Sequence, residues 1–360
     1  MAHLFESLKL RDVFLNNRIG IPPMCQYAAS DGVASDWHFV HYGSRAVGGA
    51  ALMIVEATAV APEGRISPAD LGLWNDGQIE SLARIRQFAK SQGCVAAVQL
   101  AHAGRKGSIA LGWQPQTTLS ASEGGWQTVA PSAISFGDGY AAPRELDEAG
   151  IRKVVAQFAS AAKRALAAGF ETIEIHAAHG YLLHQFLSPL SNRRTDAYGG
   201  SFENRTRLTR EVAAAVRAEW PERLPLLIRL SATDWVEGGW NPDETVTLCR
   251  ELKNLGIDLV DVSSAGLVPT AQIPAGPGFQ TGFAARIRRE AGIPTAAVGL
   301  LTAPAQADHV IRTGQADMVL LGREVLRDPY WPLHAAQALG QTASWPHQYL
   351  RAAPPGSPGR

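Results

Sequence analysis

The stretch of the chain from residue 173 to residue 181 reads Ile173-Glu174-Ile175-His176-Ala177-Ala178-His179-Gly180-Tyr181. Its first four residues alternate between apolar and polar side chains, which is typical of a short buried strand. Two histidines, a glycine and a tyrosine then follow at the carboxyl end of that strand. Packing alone does not account for two imidazoles and a phenol at this position. In a (β/α)₈ barrel the carboxyl ends of the strands open into the active site, so we expect a functional cluster here.

Outward from this stretch, strands and helices alternate along most of the chain. The pattern predicts barrel strands at residues 18–23, 51–60, 95–100, 172–176, 226–230, 259–263, 295–298 and 318–321. The accompanying helices are predicted at residues 35–49, 75–93, 147–169, 203–220, 243–255, 281–291 and 304–313, with a last helix starting near residue 329. Eight strands with intervening helices indicate an α/β fold of the (β/α)₈ TIM-barrel type. We expect a single barrel domain over residues 1–351.

Several segments add to this regular pattern. An N-terminal hairpin at residues 8–16 is expected to close one end of the barrel. Two long βα-loop excursions are expected at residues 104–146 and 184–200. The first is rich in glycine, serine, proline and tryptophan and has no period, and a loop of that length is expected to be functional. The tail at residues 352–360, rich in proline and glycine, is predicted to be disordered.

The composition argues against several classes of partner. Lysine and arginine together number 33, as do aspartate and glutamate, so no charge imbalance indicates nucleic acid or an anionic membrane surface. No apolar run approaches the ~20 residues that a membrane-spanning helix needs. The N-terminal residues lack the basic-then-apolar pattern of a signal peptide. Three scattered cysteines do not form a disulfide framework, so we expect a cytoplasmic location.

Polar residues at the other strand ends indicate what the barrel holds. Arg229 lies inside an apolar strand and needs an anionic partner, and the buried amide of Gln99 also needs a partner. Gly322 and Arg323 follow the last strand, where barrels commonly hold phosphate, and Gly299 lets the backbone approach the same anion. A phosphate there, with Arg229 across the barrel mouth, fits a phosphorylated ring cofactor such as FMN.

The histidine pair also permits a different hypothesis. His176 and His179 could bind zinc, which would make the protein a metal-dependent TIM-barrel hydrolase. That alternative predicts a bound metal and a colourless protein. Catalytic zinc usually has three protein ligands, and no third histidine or carboxylate recurs at the strand ends, so we expect no metal. A non-catalytic FMN-binding protein would leave the histidine pair and Tyr181 without a role.

Five motifs resemble those of the Old Yellow Enzyme family. They are Pro22-Pro23-Met24-Cys25-Gln26-Tyr27, Ala101-His102-Ala103-Gly104-Arg105, His176-Ala177-Ala178-His179-Gly180-Tyr181-Leu182, Arg193-Arg194-Thr195-Asp196-Ala197-Tyr198-Gly199-Gly200-Ser201 and Leu321-Gly322-Arg323. The cysteine after Pro-Met resembles the bacterial thermophilic-like branch, which includes xenobiotic reductases and NADPH dehydrogenases. The resemblance runs from about residue 3 to residue 351.

The resemblance implies an activity and a cofactor. It implies a (β/α)₈ barrel with non-covalently bound FMN, which NADPH or NADH reduces. The flavin would then pass hydride to the β-carbon of an α,β-unsaturated carbonyl or nitro compound. His176 and His179 would bind the substrate's oxygen, and Tyr181 would protonate its α-carbon. The same resemblance implies a homodimer or a dimer of dimers.

The resemblance also assigns further residues of the site. The FMN contacts would be Pro22, Pro23, Met24, Cys25, Ala57, Gln99, Arg229, Val298, Gly299, Gly322 and Arg323. Cys25 would belong to the catalytic group as well, because it would lie near the reactive edge of the flavin and tune its potential. Tyr27 would touch the substrate. Arg351 would reach into a neighbouring subunit's site, although Ala352 and Ala353 replace the aromatic ending that the family leads us to expect.

Overall fold

The computed structural model describes residues 3–358 of the chain. Residues 1–2 of the N-terminal segment and 359–360 of the tail lie outside the described residues, and the disorder expected for 352–360 stays a prediction. The strands of the described part, in chain order, are β1 (Leu8–Leu10), β2 (Val13–Leu15), β3 (Ile19–Ile21), β4 (Leu52–Ala59), β5 (Val95–Ala101), β6 (Val129–Ala130), β7 (Arg144–Glu145), β8 (Thr172–Ala177), β9 (Leu226–Ser231), β10 (Leu259–Ser263), β11 (Thr295–Ala297) and β12 (Met318–Leu320).

The barrel closes through eight of these strands, all paired in parallel. Around it the order is β3, β4, β5, β8, β9, β10, β11 and β12, and β12 pairs back with β3. Most residues of these strands are apolar because both faces of each strand are covered, by the barrel interior and by the surrounding helices. All eight residues of β4, for example, are buried. The predicted (β/α)₈ TIM barrel is therefore confirmed.

The helices cover the outside of the barrel. They are α1 (Asp36–Val47), α2 (Ile79–Ser91), α3 (Glu148–Ala167), α4 (Leu182–Leu187), α5 (Phe202–Glu219), α6 (Pro242–Asn254), α7 (Thr281–Ala291), α8 (Pro304–Arg312), α9 (Arg323–Arg327) and α10 (Trp331–Ala338). Side-chain caps set several starts: Asp147 accepts from Gly150, and Asn241 accepts from Asp243 and Glu244. No helix within residues 3–358 has both the length and the apolar character needed to cross a membrane.

Two short helices were not anticipated. The six residues of α4 occupy the start of the second excursion, and all of them are buried. A helix that is buried all round has no amphipathic period for the sequence to display. The five residues of α9 directly follow β12 and are too few to establish a period. A 3₁₀ turn, Asp76–Gln78, also precedes α2, so that helix starts later than predicted.

The N-terminal hairpin and the first excursion lie at opposite ends of the barrel. Strands β1 and β2 pair antiparallel, and the turn between them contacts residues just before β9 and β10, at the amino ends of the strands. The first excursion leaves the carboxyl end of β5. It contains 3₁₀ turns at Gly104–Lys106 and Ala121–Glu123 and the small parallel pair of β6 and β7. The hairpin therefore forms a floor, and the excursion lies on the side where a site is expected.

The packing of α3 against the barrel generates a stability prediction. Phe158 on α3 is completely buried, whereas Phe14 on β2 is 61% exposed. Phe158→Ala should lower the free energy of unfolding by about 3–5 kcal/mol, because it removes apolar contacts and leaves a cavity. Phe14→Ala is the matched control and should change it little. Urea unfolding followed by circular dichroism measures both, and equal losses in the two variants would contradict this packing.

Candidate active site

Three aromatic side chains meet at the carboxyl end of β8. The rings of His176 and His179 lie edge to face with centroids 5.2 Å apart, and the ring of Tyr181 contacts His176 at 4.9 Å. His176 is buried near the end of β8, while the other two side chains are partly exposed on the loop that follows. The cluster that the sequence predicts thus exists as one contiguous group.

The loop after β8 has an unusual backbone that places His179. His179 has a φ of 58°, in the left-handed region that few side-chain-bearing residues adopt, and Gly180 has a φ of 73°. A Cβ added to Gly180 would lie 2.1 Å from the carbonyl oxygen of Gly266, so the loops after β8 and β10 touch backbone to backbone. The amide of His179 also donates to Ser231 Oγ at 2.9 Å. Two neighbouring strand ends therefore hold the loop in this conformation.

A buried histidine and aspartate hold the same loop from behind. The amide of Gly180 donates to His184 Nδ1 at 2.9 Å, so the proton of this imidazole lies on Nε2. Nε2 lies 2.9 Å from Asp234 Oδ1, and both side chains are fully buried. Asp234 Oδ2 in turn accepts from Ser188 and from the backbone of Trp240. Sequence reasoning missed this pair because its members are fifty residues apart in the chain.

The imidazoles of the cluster are neutral hydrogen-bonding groups. Burial, and secondly the nearby Arg229 cation, lower the pKa of both His176 and His179 well below the ordinary value. His176 Nδ1 accepts from the amide of Ala178 at 3.3 Å, which places the ring proton on Nε2. The ring of His179 is fixed by a 2.7 Å hydrogen bond between its Nε2 and Ser263 Oγ.

Tyr181 and Cys25 share a small apolar patch beside the histidines. Both pack against a buried cluster made by Ala57, Ile66, Ala101, Ala103 and Ile109. Burial raises the pKa of the Tyr181 phenol well above its ordinary value, so it keeps its proton at neutral pH. Burial, followed by the charge of Asp70, likewise raises the pKa of Cys25, so this cysteine is a thiol and not a thiolate.

The predicted substrate contact Tyr27 lies at the outer edge of this patch. Its backbone is left-handed, with a φ of 53°, which turns the chain after Cys25. Its ring meets Trp113 of the first excursion edge to face at 5.9 Å, and burial raises the pKa of its phenol. Trp113 is 70% exposed, so the excursion places an aromatic rim beside the site.

A second group of predicted residues lines a cavity of about 370 Å³ over β10, β11 and β12. The predicted residues that line it are Arg229, Val298, Gly299, Gly322 and Arg323. Gly299 has a φ of 125°, and a Cβ there would lie 2.9 Å from the ring of Phe279. A Cβ on Gly322 would face Met24 Sδ and Pro22 Cγ, each at 3.8 Å, so the loop after β3 borders the same cavity.

Below the cavity, the barrel interior holds a charged network. Strand register places Gln99 opposite Glu174, and places Arg229 opposite both His176 and Asp261. Gln99 Nε2 donates to Glu174 Oε1 at 2.8 Å, and Arg229 Nε lies 2.8 Å from Asp261 Oδ2. Two carboxylates therefore share one cation in a sealed interior. Burial, and secondly the charge of Asp261, raise the pKa of Glu174 well above its ordinary value, which makes Glu174 the member that keeps a proton.

Lys106 is a further polar residue of the site that the sequence analysis did not identify. It follows β5 in the turn Gly104–Lys106, and its Nζ donates to the carbonyl oxygens of His179 at 2.8 Å and Gly266 at 2.9 Å. Arg105 beside it is buried and donates to carbonyls of the first excursion and to Leu267. Neither cation forms an ion pair with a carboxylate of residues 3–358. A lysine at the start of a polar loop gives no sequence signal of burial.

One predicted site residue is separate from these groups. Arg351 lies in the C-terminal 3₁₀ segment His347–Ala352 and is exposed, and it lines neither the cavity nor the histidine cluster in this chain. Its expected place in a neighbouring subunit's site stays a prediction. The described residues contain no group of three or more histidine, cysteine, aspartate or glutamate side chains that could hold a metal ion.

The sequence matches one family model and several known proteins over nearly its whole length. Residues 3–341 match the family model described as the NADH:flavin oxidoreductase / NADH oxidase family. The chain is 47% identical over 354 residues to NADPH dehydrogenase of Listeria innocua serovar 6a, covering 98% of this chain and 99% of the relative. It is 48% identical over 350 residues to NADPH dehydrogenase of Geobacillus thermodenitrificans, covering 97% and 98%.

Solved structures with the same architecture include a reductase and an Old Yellow Enzyme homologue. Morphinone reductase matches with a TM-score of 0.78 and 30% identity, over 94% of this chain and 90% of that one. The Old Yellow Enzyme homologue from Zymomonas mobilis matches with a TM-score of 0.79 and 27% identity, over 94% and 93%. The likeness therefore extends over nearly the whole length of both chains.

The proton held by Glu174 in the barrel interior predicts how stability depends on pH. Because the pKa of Glu174 is raised on folding above its ordinary 4.5, unfolding releases a proton above that pH, and stability should fall as pH rises. The loss is at most about 1.4 kcal/mol per pH unit. Glu174→Gln should make this slope shallower, because a glutamine can still accept from Gln99 but does not titrate. Asp261 and Asp70, whose pKa values burial raises to about 6 and about 7, keep the remainder of the slope. Urea unfolding at several pH values measures it, and an unchanged slope in Glu174→Gln would contradict the assignment.

Asp261→Asn is the comparison variant for the same network. It removes the carboxylate that pairs directly with Arg229, which typically costs about 3–5 kcal/mol. Glu174 can recover part of that loss by giving up its proton beside the same cation, but the variant should still lose more stability than Glu174→Gln at neutral pH. Similar losses for the two variants would show that the proton is not held by Glu174.

Proposed function

The chain belongs to the NADH:flavin oxidoreductase / NADH oxidase family and is an NAD(P)H oxidoreductase, and from this premise we propose that it is an FMN-dependent ene-reductase. Its substrates are α,β-unsaturated carbonyl or nitro compounds that accept hydride at the β-carbon. The observation that supports this most directly is the contiguous cluster of His176, His179 and Tyr181 at the barrel mouth. It combines two neutral donors for an oxygen atom with one protonated acid.

The residues around the cavity fit non-covalently bound FMN. Arg229 is 7% exposed, and apart from its contact with Asp261 it donates no hydrogen bond within residues 3–358, which leaves donors for an anionic ring edge. Gly299 and Gly322 leave the backbone open toward the cavity, and Arg323 supplies a cation beside them for the phosphate. Pro22, Pro23, Met24, Cys25, Ala57, Gln99 and Val298 complete the proposed contacts.

The bound flavin would supply two-electron chemistry, taking hydride from NADPH or NADH and passing it to the substrate's β-carbon. His176 and His179 bind the substrate oxygen. As neutral imidazoles they donate hydrogen bonds, and these bonds strengthen as negative charge grows on that oxygen. Each such donor typically contributes roughly 3 kcal/mol to the stability of the transition state. Ser263 and Ala178 hold the two rings in place.

Tyr181 supplies the proton. Its phenol lies beside His176 and keeps its proton because burial raises its pKa. As general acid it protonates the α-carbon when hydride arrives at the β-carbon. Tyr27 and the rim residue Trp113 contact the body of the substrate. Cys25 lies on the flavin side of the patch as a neutral thiol that adjusts the flavin potential.

The remaining parts of the proposal concern the whole molecule. Residues 1–351 form the single catalytic unit, and the protein assembles as a homodimer or a dimer of dimers, in which Arg351 enters a neighbouring site. No observation favours the alternative of a metal-dependent hydrolase, because the family relatives are oxidoreductases and the described cluster offers only the two histidines as ligands.

A visible absorption spectrum under nitrogen tests the flavin cycle. The purified protein should be yellow, lose its colour on addition of NADPH, and regain it on addition of 2-cyclohexenone. Protein that is colourless and cannot be reconstituted with FMN would overturn the cofactor assignment. Protein that bleaches with NADPH but is not reoxidised by the enone would retain the flavin and reject the ene-reductase reaction.

Tyr181→Phe tests the proton donor. The variant should keep its flavin and its rate of reduction by NADPH, because the hydroxyl is not needed in that step. Reoxidation by 2-cyclohexenone should slow by roughly 10²–10⁴-fold, the usual contribution of a general acid. Stopped-flow absorbance of the flavin measures the two steps separately. Tyr140→Phe, which removes a nearby hydroxyl, is the control and should leave both rates close to the original, and an equal effect in the two variants would reject the assignment.

A further inference from the structure

The ammonium group of Lys106 occupies an unusual place in the site. Its Nζ bonds two carbonyl oxygens on two different loops, those of His179 and Gly266. It also lies 4.5 Å from the ring centroid of Phe136 and 5.2 Å from that of Tyr181. A lysine without a structural or functional role would extend its ammonium group into water, so the contacts of Lys106 require another explanation.

The two carbonyl oxygens need a shared donor. They belong to adjacent left-handed turns, with φ values of 58° at His179 and 90° at Gly266. A Cβ on Gly266 would lie 2.6 Å from the backbone of His179, so the loops are in direct contact. Two converging carbonyl dipoles repel each other, and an ammonium group, with three donors on one atom, offsets that repulsion. Lys106 therefore ties the loop that carries the histidine to the loop after β10.

The same ammonium group places a positive charge over the phenol ring of Tyr181. A cation within about 6 Å of an aromatic face is attracted by it, and more strongly when the ring carries negative charge. The proton transfer proposed above leaves Tyr181 as a buried phenolate. Burial raises the pKa of Tyr181 most, and the nearby Cys25, Tyr27 and Asp70 raise it further, so a cation beside the ring offsets part of the cost of forming the phenolate.

We propose that Lys106 is a positioning residue for the proton transfer, which ties the loops of His179 and Gly266 together and holds a positive charge over Tyr181 as that residue loses its proton. The inference rests on the proposed function, because it assigns Lys106 to the step in which Tyr181 acts. The proton passes from the phenol to the α-carbon of the substrate, and Lys106 keeps its own proton throughout.

Lys106→Met tests the proposal in the flavin-loaded protein. Reoxidation by 2-cyclohexenone should slow roughly tenfold or more, the factor that corresponds to a desolvated cation–π contact, while reduction by NADPH stays near the original rate. Lys153→Met is the matched control, since Lys153 on α3 is 67% exposed and pairs with Glu63. Equal slowing of both steps in Lys106→Met would indicate a merely structural residue and overturn the proposal.

Lys106→Gln distinguishes the effect of the hydrogen bonds from the effect of the charge. It also provides a second variant in case Lys106→Met does not fold. Glutamine can still donate to a carbonyl but carries no charge, so reoxidation should remain slow. An original rate in Lys106→Gln would overturn the electrostatic part of the proposal. Adding Lys106→Met to Tyr181→Phe should slow reoxidation by a smaller factor than Lys106→Met does alone, because without the phenol there is no phenolate to stabilise and only the tie between the loops is lost. If Lys106→Met slows reoxidation by the same factor in the original protein and in Tyr181→Phe, Lys106 acts independently of Tyr181.

The pH profile gives a readout that a structural role would not move. Burial, and secondly Arg105, lower the pKa of Lys106 to about 8, so the ammonium loses its proton as pH rises through that value. The facing groups His176, His179 and Tyr181 do not titrate there, because their shifted pKa values lie well away from it. Reoxidation should therefore slow as pH rises through about 8.

Lys106→Met should lack this basic limb. Burial lowers the pKa of Arg105 only to about 10, so Arg105 stays charged in the pH range in which Lys106 titrates. Residues 264–268, in the loop that Lys106 contacts through Gly266, contain no titratable side chain. A limb retained in Lys106→Met would overturn the assignment of the titrating group to Lys106.

Hydrogen–deuterium exchange tests the tie between the loops without relying on activity. In Lys106→Met, peptides covering residues 178–183 and 264–268 should exchange faster than in the original protein, and Lys153→Met should leave both unchanged. Unchanged exchange in Lys106→Met would reject the tie. These outcomes differ from failure of the proposed function, in which the unmodified protein itself would not be reoxidised by the enone.

Discussion

The buried guanidinium of Arg229 is the constraint on which the interior of this barrel depends. A cation inside an apolar barrel is costly unless anionic groups surround it, and here Asp261 supplies the ion pair. Glu174 adds a second carboxyl group, which is tolerated because it stays protonated and accepts from Gln99. The result is a nearly neutral network that still leaves donors of Arg229 facing the cavity. Burial, and secondly the same cation, lower the pKa of His176 and His179, so both imidazoles stay neutral.

Around that interior, the site is built from backbone conformation as much as from side chains. His179 and Gly180 adopt left-handed turns that are held by Ser231, His184 and, across the loop contact, Gly266. Ser231 ends β9 and Gly266 follows β10, whereas His184 lies on α4 just after the turn itself. The active geometry therefore depends on correct closure of the barrel and is not encoded within the loop itself.

The sequence predicts the parts of this protein that depend on local pattern. Barrel strands are recognisable because both faces are apolar, and the His176 to Tyr181 cluster stands out because its polar rings interrupt that pattern. The short helices α4 and α9 were not predictable, since one is buried all round and the other has only five residues. Strand register sets the pairing of Asp261 with Arg229, and loop geometry sets the contacts of Lys106. Both depend on segments that are distant in the chain, so a local sequence pattern does not predict them.

The direct contact between Gly180 and Gly266 has a consequence for how this scaffold could be altered. TIM barrels are often regarded as a rigid frame that carries interchangeable loops, one for each strand. Here two loops that follow different strands meet backbone to backbone at Gly180 and Gly266, and Lys106 from a third loop bonds both. Neither could be exchanged for a loop from another barrel without refitting the other. For evolution or engineering, these two loops are therefore one inherited part, and variation is easier on the exposed rim around Trp113.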